Sequence, residues 1–484
     1  MSIAGSLSSA LSGLTAASKA AEIVSSNIAN AMTEGYGRRE LQTTALTLGS
    51  TGQGVRVVGV YRNIDAALVG DRRRAEAGAG DREARAKFLS GLESAIGGPD
   101  NPNSLNSRIA DFDTALIEAS SRPDSEGRLA RVAQAASSLA LHINNVGNEI
   151  QTARAAADHQ IEKQVVQVNT AVMRVSELNV QIRANAVSGR DASALMDQRQ
   201  QLVDGIAQIV PIREVARDDG QIALFTTGGA TLLDGRPAQL GYAPVGIVAA
   251  GMTLGNGSLS GLTLNGRLIA TSGENSPILG GALASQFAIR DELGPAAQAR
   301  LDAVSRDLLT RFSSGFDPSL TSGAPGLFVD GIGPFQPANE IGLSQRLMLN
   351  SVIDPAQGGA LWRLRDGLGA TAPGPAGNAG LLNSFQAALT AQQSPASGGF
   401  MAGARSFSTL AADMLSAVAS ARLSAEGEAS YSLARADALR GMELEGGVDT
   451  DQELQTLLLI EQSFAANAKV IQTVDDLIQT LLRI

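Results

Sequence analysis

Apolar residues recur in alternating steps of four and three at the start of the chain: Ile3, Leu7, Ala10, Leu14, Ala17, Ala21, Val24 and Ile28. This spacing draws one narrow stripe along a helix, the seam of a coiled coil rather than the broad face of a core helix. Several seam positions are Ala, and Gly5 and Gly13 lower helix propensity, so the helix is weak in isolation. It should stop before Thr33-Glu34-Gly35-Tyr36-Gly37, where glycines supply turn backbone. The far end repeats the device with Leu457, Ile460, Phe464, Asn467, Ile471, Val474, Ile478 and Leu481. Gly446-Gly447 precede it, and Asp449 or Thr450 can cap its first turn. Asn467 is a polar seam residue, a device that fixes register at some cost in stability. Chain ends fray unless tied down. The two seams are therefore read as pairing with each other or with the ends of other copies.

Between the ends, residues from about 81 to 209 read as helical. Leu105, Ile109, Phe112 and Leu116 form a stripe that Pro123 ends. A longer helix follows from Leu129 to Ala184, its apolar face marked by Val165, Val168, Val172, Val175 and Leu178. After Pro211 the pattern changes to short strand signals at Ile222–Phe225 and Thr231–Leu233, with hairpin dipeptides Asn256-Gly257 and Asn265-Gly266. Helix returns at Ala282–Arg311. A Gly/Pro-rich, loop-like stretch spans 313–403, and a final middle helix covers about 405–440. The predicted fold is mainly α with a smaller antiparallel β domain. Its parts are a coiled-coil terminal domain (1–60 with 441–484), a helical middle domain (61–210 with 276–440) and an inserted β domain (211–275), nested so that the β insertion lies farthest out.

At roughly 150 residues per domain, the length of 484 residues fits three parts. Hydrophobic residues make up 44% of the chain but aromatics only 4%, which predicts thin, closely packed helical layers without an aromatic centre. The net charge of −10 argues against a nucleic-acid partner. No apolar run approaches the length of a membrane span, so no membrane insertion is expected. Spaced apolar residues and the lack of a basic start argue against a conventional secretory signal. Only four of the 38 basic residues are Lys, which we read as compositional bias.

Candidate chemistry is sparse. With no Cys there is no disulfide, thiolate nucleophile or cysteine metal site, and His142 and His159 are the only histidines. Gly255-Asn256-Gly257 lacks the third glycine of a dinucleotide fingerprint, and His159-Gln160-Ile161-Glu162 is no zinc helix motif. Carboxylates are numerous enough to meet by chance. Asp71-Arg72-Arg73-Arg74, the densest charge cluster, reads as a solvated helix face, with an intersubunit ion-pair strip as the alternative. No catalytic residue, cofactor site or metal site is expected.

Asn27-Ile28-Ala29-Asn30-Ala31-Met32-Thr33-Glu34-Gly35-Tyr36 resembles the N-terminal signature of bacterial flagellar rod, hook and hook-associated proteins; the matched positions are Asn27, Ala29, Asn30, Thr33, Gly35 and Tyr36. Gly447-Val448-Asp449 and the run from Gln462 to Thr473 resemble the C-terminal signature of the same family. Within the chain, Asp197-Gln198-Arg199-Gln200-Gln201-Leu202-Val203-Asp204, Pro123-Asp124 and the Gly280–Glu292 stretch are similar to segments of the hook-associated members at the hook–filament junction. Phe464 stands where the family more often has Tyr, Asn467 is closer to hook and rod members, and 316–404 matches no family segment.

The resemblance implies a structural subunit whose terminal helices pair into an inner tube and whose other domains face outward. It implies as partners other copies of the chain, the hook protein, a second junction protein and flagellin. It also implies uncleaved export through the flagellar type III apparatus, a cytoplasmic chaperone on the C-terminal helix before export, and a final place outside the cell on the flagellum. A hook or distal-rod subunit is the neighbouring alternative, and a secreted hydrolase with its chemistry hidden in 316–404 the alternative from another class. Either seam alone buries too little apolar surface to offset ordering entropy, so the ends are expected to fold during assembly.

Overall fold

The structure, a computed structural model, describes residues 3–48, 51–313, 315–331 and 335–483. It opens with α1 (Ile3–Ala29), β1 (Arg38–Leu48) and β2 (Thr51–Asn63). Five helical stretches follow: α2 (Ala66–Ile96), α3 (Leu105–Ser121), α4 (Glu126–Val187), α5 (Ser193–Ile209) and, after the sheets, α6 (Ala282–Ala288). Between α5 and α6 lie β3 (Ile212–Ala216), β4 (Ile222–Thr226), β5 (Thr231–Asp234), β6 (Arg236–Pro237), β7 (Leu240–Gly241), β8 (Thr263–Leu264) and β9 (Arg267–Leu268). A π turn over Ile289–Leu293 joins α6 to α7 (Gly294–Arg311). Then come β10 (Phe328–Asp330), α8 (Leu343–Arg346), β11 (Leu347–Leu349), α9 (Arg363–Asp366), α10 (Gly380–Thr390), α11 (Phe407–Glu445) and α12 (Thr450–Leu482). The fold is mainly α with small antiparallel sheets, as the hydrophobic pattern indicates.

α4 runs unbroken for 62 residues, about 93 Å at 1.5 Å per residue. Its first half lies in the larger core with α3, α7, α10 and α11. Its second half carries the β insertion: Ile161, Val165, Val168, Val172 and Val175 pack with Val203 and Ile206 of α5 and with Leu224, Leu233, Leu262 and Phe287. The sheets are ordered β3-β4-β5-β6 and β7-β8-β9, and Asn265-Gly266 forms the β8–β9 turn. Gly255-Asn256-Gly257 lies in an irregular turn rather than a strand hairpin. α2 and α11 run antiparallel, tied by Arg72–Glu443, Arg82–Glu428 at 3.7 Å and Arg422–Glu93.

Three expectations need correction. Arg38–Leu48 and Thr51–Asn63 pair as antiparallel strands, with Arg38 opposite Asn63 and Ala45 opposite Val55; the Thr- and Val-rich runs favour strand, and the heptad reading did not extend to them. The 313–403 stretch, of which 314 and 332–334 lie outside the described residues, is not loop-like. Leu327, Phe328, Leu343, Leu347, Ile353, Leu364, Leu382 and Phe385 from it are buried in the larger core. That core does have an aromatic centre: Phe312 lies 5.6 Å from Phe112, 5.4 Å from Phe328 and 5.6 Å from Phe385, ring centre to ring centre. The few aromatics are concentrated where four separate segments meet.

A buried ionic network joins the β insertion to α4. Arg154, Asp158 and Arg290 are all 0% exposed. Arg290 donates to Asp158 Oδ1 at 2.9 Å, to Ser260 O at 2.9 Å and to both oxygens of Asp291. Arg154 donates to Arg290 O at 2.8 Å, Met252 O at 2.7 Å and Ala249 O at 3.2 Å. Burial works against the Asp158 charge. The Tyr242 hydroxyl, the Val245 amide and Arg290 outweigh it and hold the carboxyl below the ordinary range.

Two outcomes are expected from these contacts. Asp158→Ala leaves Arg290 short of a buried partner and should cost about 3 kcal/mol in urea unfolding; a loss under about 1 kcal/mol would mean Asp291 alone neutralises it. On α4, burial pushes His142 below its ordinary value of 6.5, against the hydrogen bond between its Nε2 and Ile96 O, at the end of α2, at 3.1 Å. A depressed folded value favours the neutral ring, so its contribution is complete above the ordinary value and is lost as pH falls below it. Stability should thus drop less between pH about 7 and 5.5 in His142→Gln than in the parent chain, and equal slopes would refute the assignment.

Candidate assembly interface

The structure brings the two predicted seams together, α1 running antiparallel to α12. On α1, Ala10, Ala17 and Val24 are buried, and Ile3, Leu7, Leu14, Ala21 and Ile28 are half-buried. On α12, Val474 is buried, Leu457, Ile460, Asn467 and Ile471 are half-buried, and Phe464, Ile478 and Leu481 remain exposed. Gly13 and Asn467 meet: a Cβ on Gly13 would lie 2.7 Å from Asn467 Oδ1. The glycine that weakens α1 is thus the position that admits the polar seam residue, whose amide caps Ser463 O of its own helix at 2.9 Å. Asp449 caps α12 as expected, accepting from Asp451 N and Gln452 N.

One chain does not cover α12. Leu454, Leu458, Leu459, Val470, Leu477 and Leu482 are exposed, Leu458 by 60% and Leu459 by 65%. Burying such a side chain is worth about 1.5–3 kcal/mol. Six on one helix make a surface that calls for a cover.

The N-terminal signature folds at the neck between this helix pair and the middle of the molecule. Asn27, 1% exposed, donates to Arg39 O at 2.9 Å and accepts from Arg39 N at 3.0 Å and Tyr36 Oη at 2.9 Å. Asn30 caps Ser26 O at 2.9 Å, and the Thr33 hydroxyl reaches Asn30 Oδ1 at 3.3 Å. Gly35 takes φ +76°, the left-handed region, against the side chain of Gln201. Ala29 ends α1 and is exposed. The Asp197–Asp204 segment lies on α5 and meets this turn. Asp197 Oδ1 accepts from Gly37 N at 3.1 Å and Arg62 Nε at 2.7 Å, and Oδ2 from Arg39 at 2.7 Å. Gln201 donates to Glu34 O at 2.8 Å.

Arg38, Arg39 and Arg62 were not singled out in the sequence. Their signal was a cluster of cations at the root of an unrecognised hairpin. Arg38 reaches Glu453 at 2.7 Å, which is 1% exposed at the start of α12. The Asp71–Arg74 cluster divides. Arg74 pairs with Asp71 on the surface, but Arg72 and Arg73 are buried in ion pairs within the chain, with Asp204, Glu443, Glu76 and Glu214. Burial opposes the Arg72 charge, and Asp204, Glu443 and Glu76 outweigh it, raising its value. Those two arginines are neither a solvated face nor a strip between subunits.

Among the described residues no group of three or more His, Cys, Asp or Glu could hold a metal ion. A cavity of about 660 Å³ is walled by Arg62, Arg73 and Arg199 over Val203 and Phe225. Burial lowers Arg199 to about 10; its Nη1 donates to Asn179 Oδ1 and Gly220 O, a structural role. No helix among the described residues is long and apolar enough to cross a membrane. The arrangement can hold and orient helices.

Comparison with known proteins agrees with this geometry. Residues 89–317 match the family "Flagellar hook-associated protein FlgK helical domain", residues 441–484 "Flagellar basal body rod FlgEFG protein C-terminal" and residues 7–36 "Flagella basal body rod protein". The flagellar hook-associated protein 1 of Salmonella typhimurium is 31% identical over 241 residues, covering 48% of this chain and 42% of that protein. The Escherichia coli protein of that name is 28% identical over 335 residues (66% and 58%), and the Bacillus subtilis one 27% over 250 residues (49% and 49%). The chain thus spans about half the length of the curated relatives it matches. Among solved structures, the flagellar hook junction protein FlgK from Burkholderia pseudomallei is similar with TM-score 0.45 and 21% identity, over 54% of this chain and 47% of that one. With rod-type matches at both ends and the hook-associated helical domain between them, the chain is similar along its length to bacterial flagellar axial proteins, and to flagellar hook-associated protein 1 in particular.

Proposed function

We propose that the chain is a structural subunit of the bacterial flagellum, forming the adaptor between hook and filament by self-assembly through its terminal helices. The observation that carries this is α12: it pairs with α1 along one seam and leaves Leu454, Leu458, Leu459, Val470 and Leu477 for helices of other copies. Contacts of that head-to-tail kind propagate as a ring or a helix. The partners are other copies, the hook protein, a second junction protein and flagellin, with a cytoplasmic export chaperone on the C-terminal helix before type III export places the chain outside the cell. Catalysis has no part in this role. The division into 1–60 with 441–484, 61–210 with 276–440, and 211–275 is proposed with it, the terminal part innermost.

A hook or distal-rod subunit is the second reading, favoured by the rod-type matches at both ends. The Asp197–Asp204 segment and the 89–317 match favour the junction. A hydrolase passenger in 316–404 is disfavoured, since Phe328 and Phe385 from that stretch sit in the common core.

Electron microscopy of cells lacking the chain tests the reading. Completed hooks without filaments, with flagellin lost to the medium, are expected. Stunted hooks would move the subunit to hook or rod, and normal flagella would overturn the family role. Returning the chain with Leu458→Lys should leave secretion and middle-domain melting unchanged and the hooks bare; restored filaments would remove α12's open face from the interface. In the free chain, amides of α1 and α12 should exchange orders of magnitude faster than those of α4, because an isolated helix pair of this length is marginal. Comparable protection would show that the ends are ordered before assembly.

A further inference from the structure

The terminal helix pair shares no apolar cluster with the rest of the molecule. No residue of α1 or α12 belongs to any of the three buried clusters among the described residues. The ties between the pair and the middle of the molecule include a set of polar contacts centred on one carboxylate. Asp197, on a helix whose other buried residues belong to the middle of the molecule, accepts a backbone amide from the signature turn and a guanidinium from each strand of the hairpin. Arg62 extends the contact to Gly35 O at 3.1 Å and to Gln200. Arg39 also stacks over Tyr36, its guanidinium 4.9 Å from the ring centre, and Tyr36 bonds Asn27 in the last turns of α1. A continuous path thus leads from α5 through the turn into α1.

We infer that Asp197 is a positioning residue, setting the angle at which the terminal helices leave the middle domain, and that the Asn27–Tyr36 signature is a neck-building motif rather than a contact between subunits. The side chains support this. Asn27 and Tyr36 spend their polar atoms on each other and on Arg39 of the same chain, and Gly35 leaves no room for a Cβ beside Gln201. Gly35 is required there both for its positive φ and for that close approach. Charge-assisted bonds on this buried carboxylate are directional, so losing them frees the angle without opening an apolar core. A helical assembly tolerates little error in such an angle, because it repeats in every copy.

The inference rests on the axial role proposed above, and the test separates the two. In a strain lacking the chain, the parent sequence must first restore filaments; failure there refutes the axial role and leaves the neck unjudged by this assay alone, so the melting and exchange of purified chain are read in parallel. Given restoration, Asp197→Ala should be secreted at the parent level, melt at the parent temperature in its middle domain, and reduce cells with filaments at least tenfold. Asp197→Glu, which keeps the charge, should recover most of the loss. Asn27→Ala should give the same defect, and the double variant no more than either single one, because both break one path. Two results would overturn the inference: full filaments with Asp197→Ala, or a middle domain that melts lower in step with the filament loss, which would make Asp197 an ordinary stabilising residue. In purified chain at assembly concentration, Asp197→Ala should speed exchange of the Gly37 amide and leave α4 unchanged; unchanged Gly37 exchange would likewise count against it.

Discussion

α4 extends from Glu126 to Val187, and its buried positions feed two cores in succession. Most helical stability in a folded protein comes from tertiary packing of an apolar face, and nearly every turn of this helix has a partner. In the first half those partners come from α3, α7, α11 and the 327–389 segments, and in the second from α5 and the β insertion. The insertion shares a core with the helix that carries it, so the middle of the molecule behaves as a long, stiff support.

Arginine does much of the joining. Arg154, Arg290 and Arg311 are all 0% exposed, and each donates to backbone carbonyls of other segments of the chain. Arg311 reaches Ala388 O at 2.9 Å and Arg405 O at 2.8 Å, closing the Gly/Pro-rich stretch onto α7. A planar fork of five donors can serve several carbonyls at once, which an ammonium cannot. The preference for Arg over Lys, taken from composition as bias alone, has structural use at these sites.

The ends follow another rule. Small seam residues, a glycine facing an asparagine and an open leucine face make a helix pair whose outer side this chain leaves uncovered. Polar contacts at the neck orient this pair, while apolar contacts hold the middle together.

Both terminal helices, the long middle helix and the β insertion were legible in the sequence because their signals are local. Heptad spacing, a glycine pair before a capping aspartate and Asn-Gly turns each act within a few residues. The signature positions Asn27, Gly35 and Tyr36 could be recognised, but what they touch could not. The turn they build meets Asp197 and Gln201 through Gly37 N and Glu34 O, more than 150 residues away on a helix whose pattern says nothing of a neighbour. The same holds for Phe328 and Phe385, which sit among glycines and prolines and become core only when α3 and α7 close over them. Periodicity reports which face of an element is apolar. Which distant element covers it, and which charges end up buried together, depends on where the chain returns, and only the tertiary structure decides that.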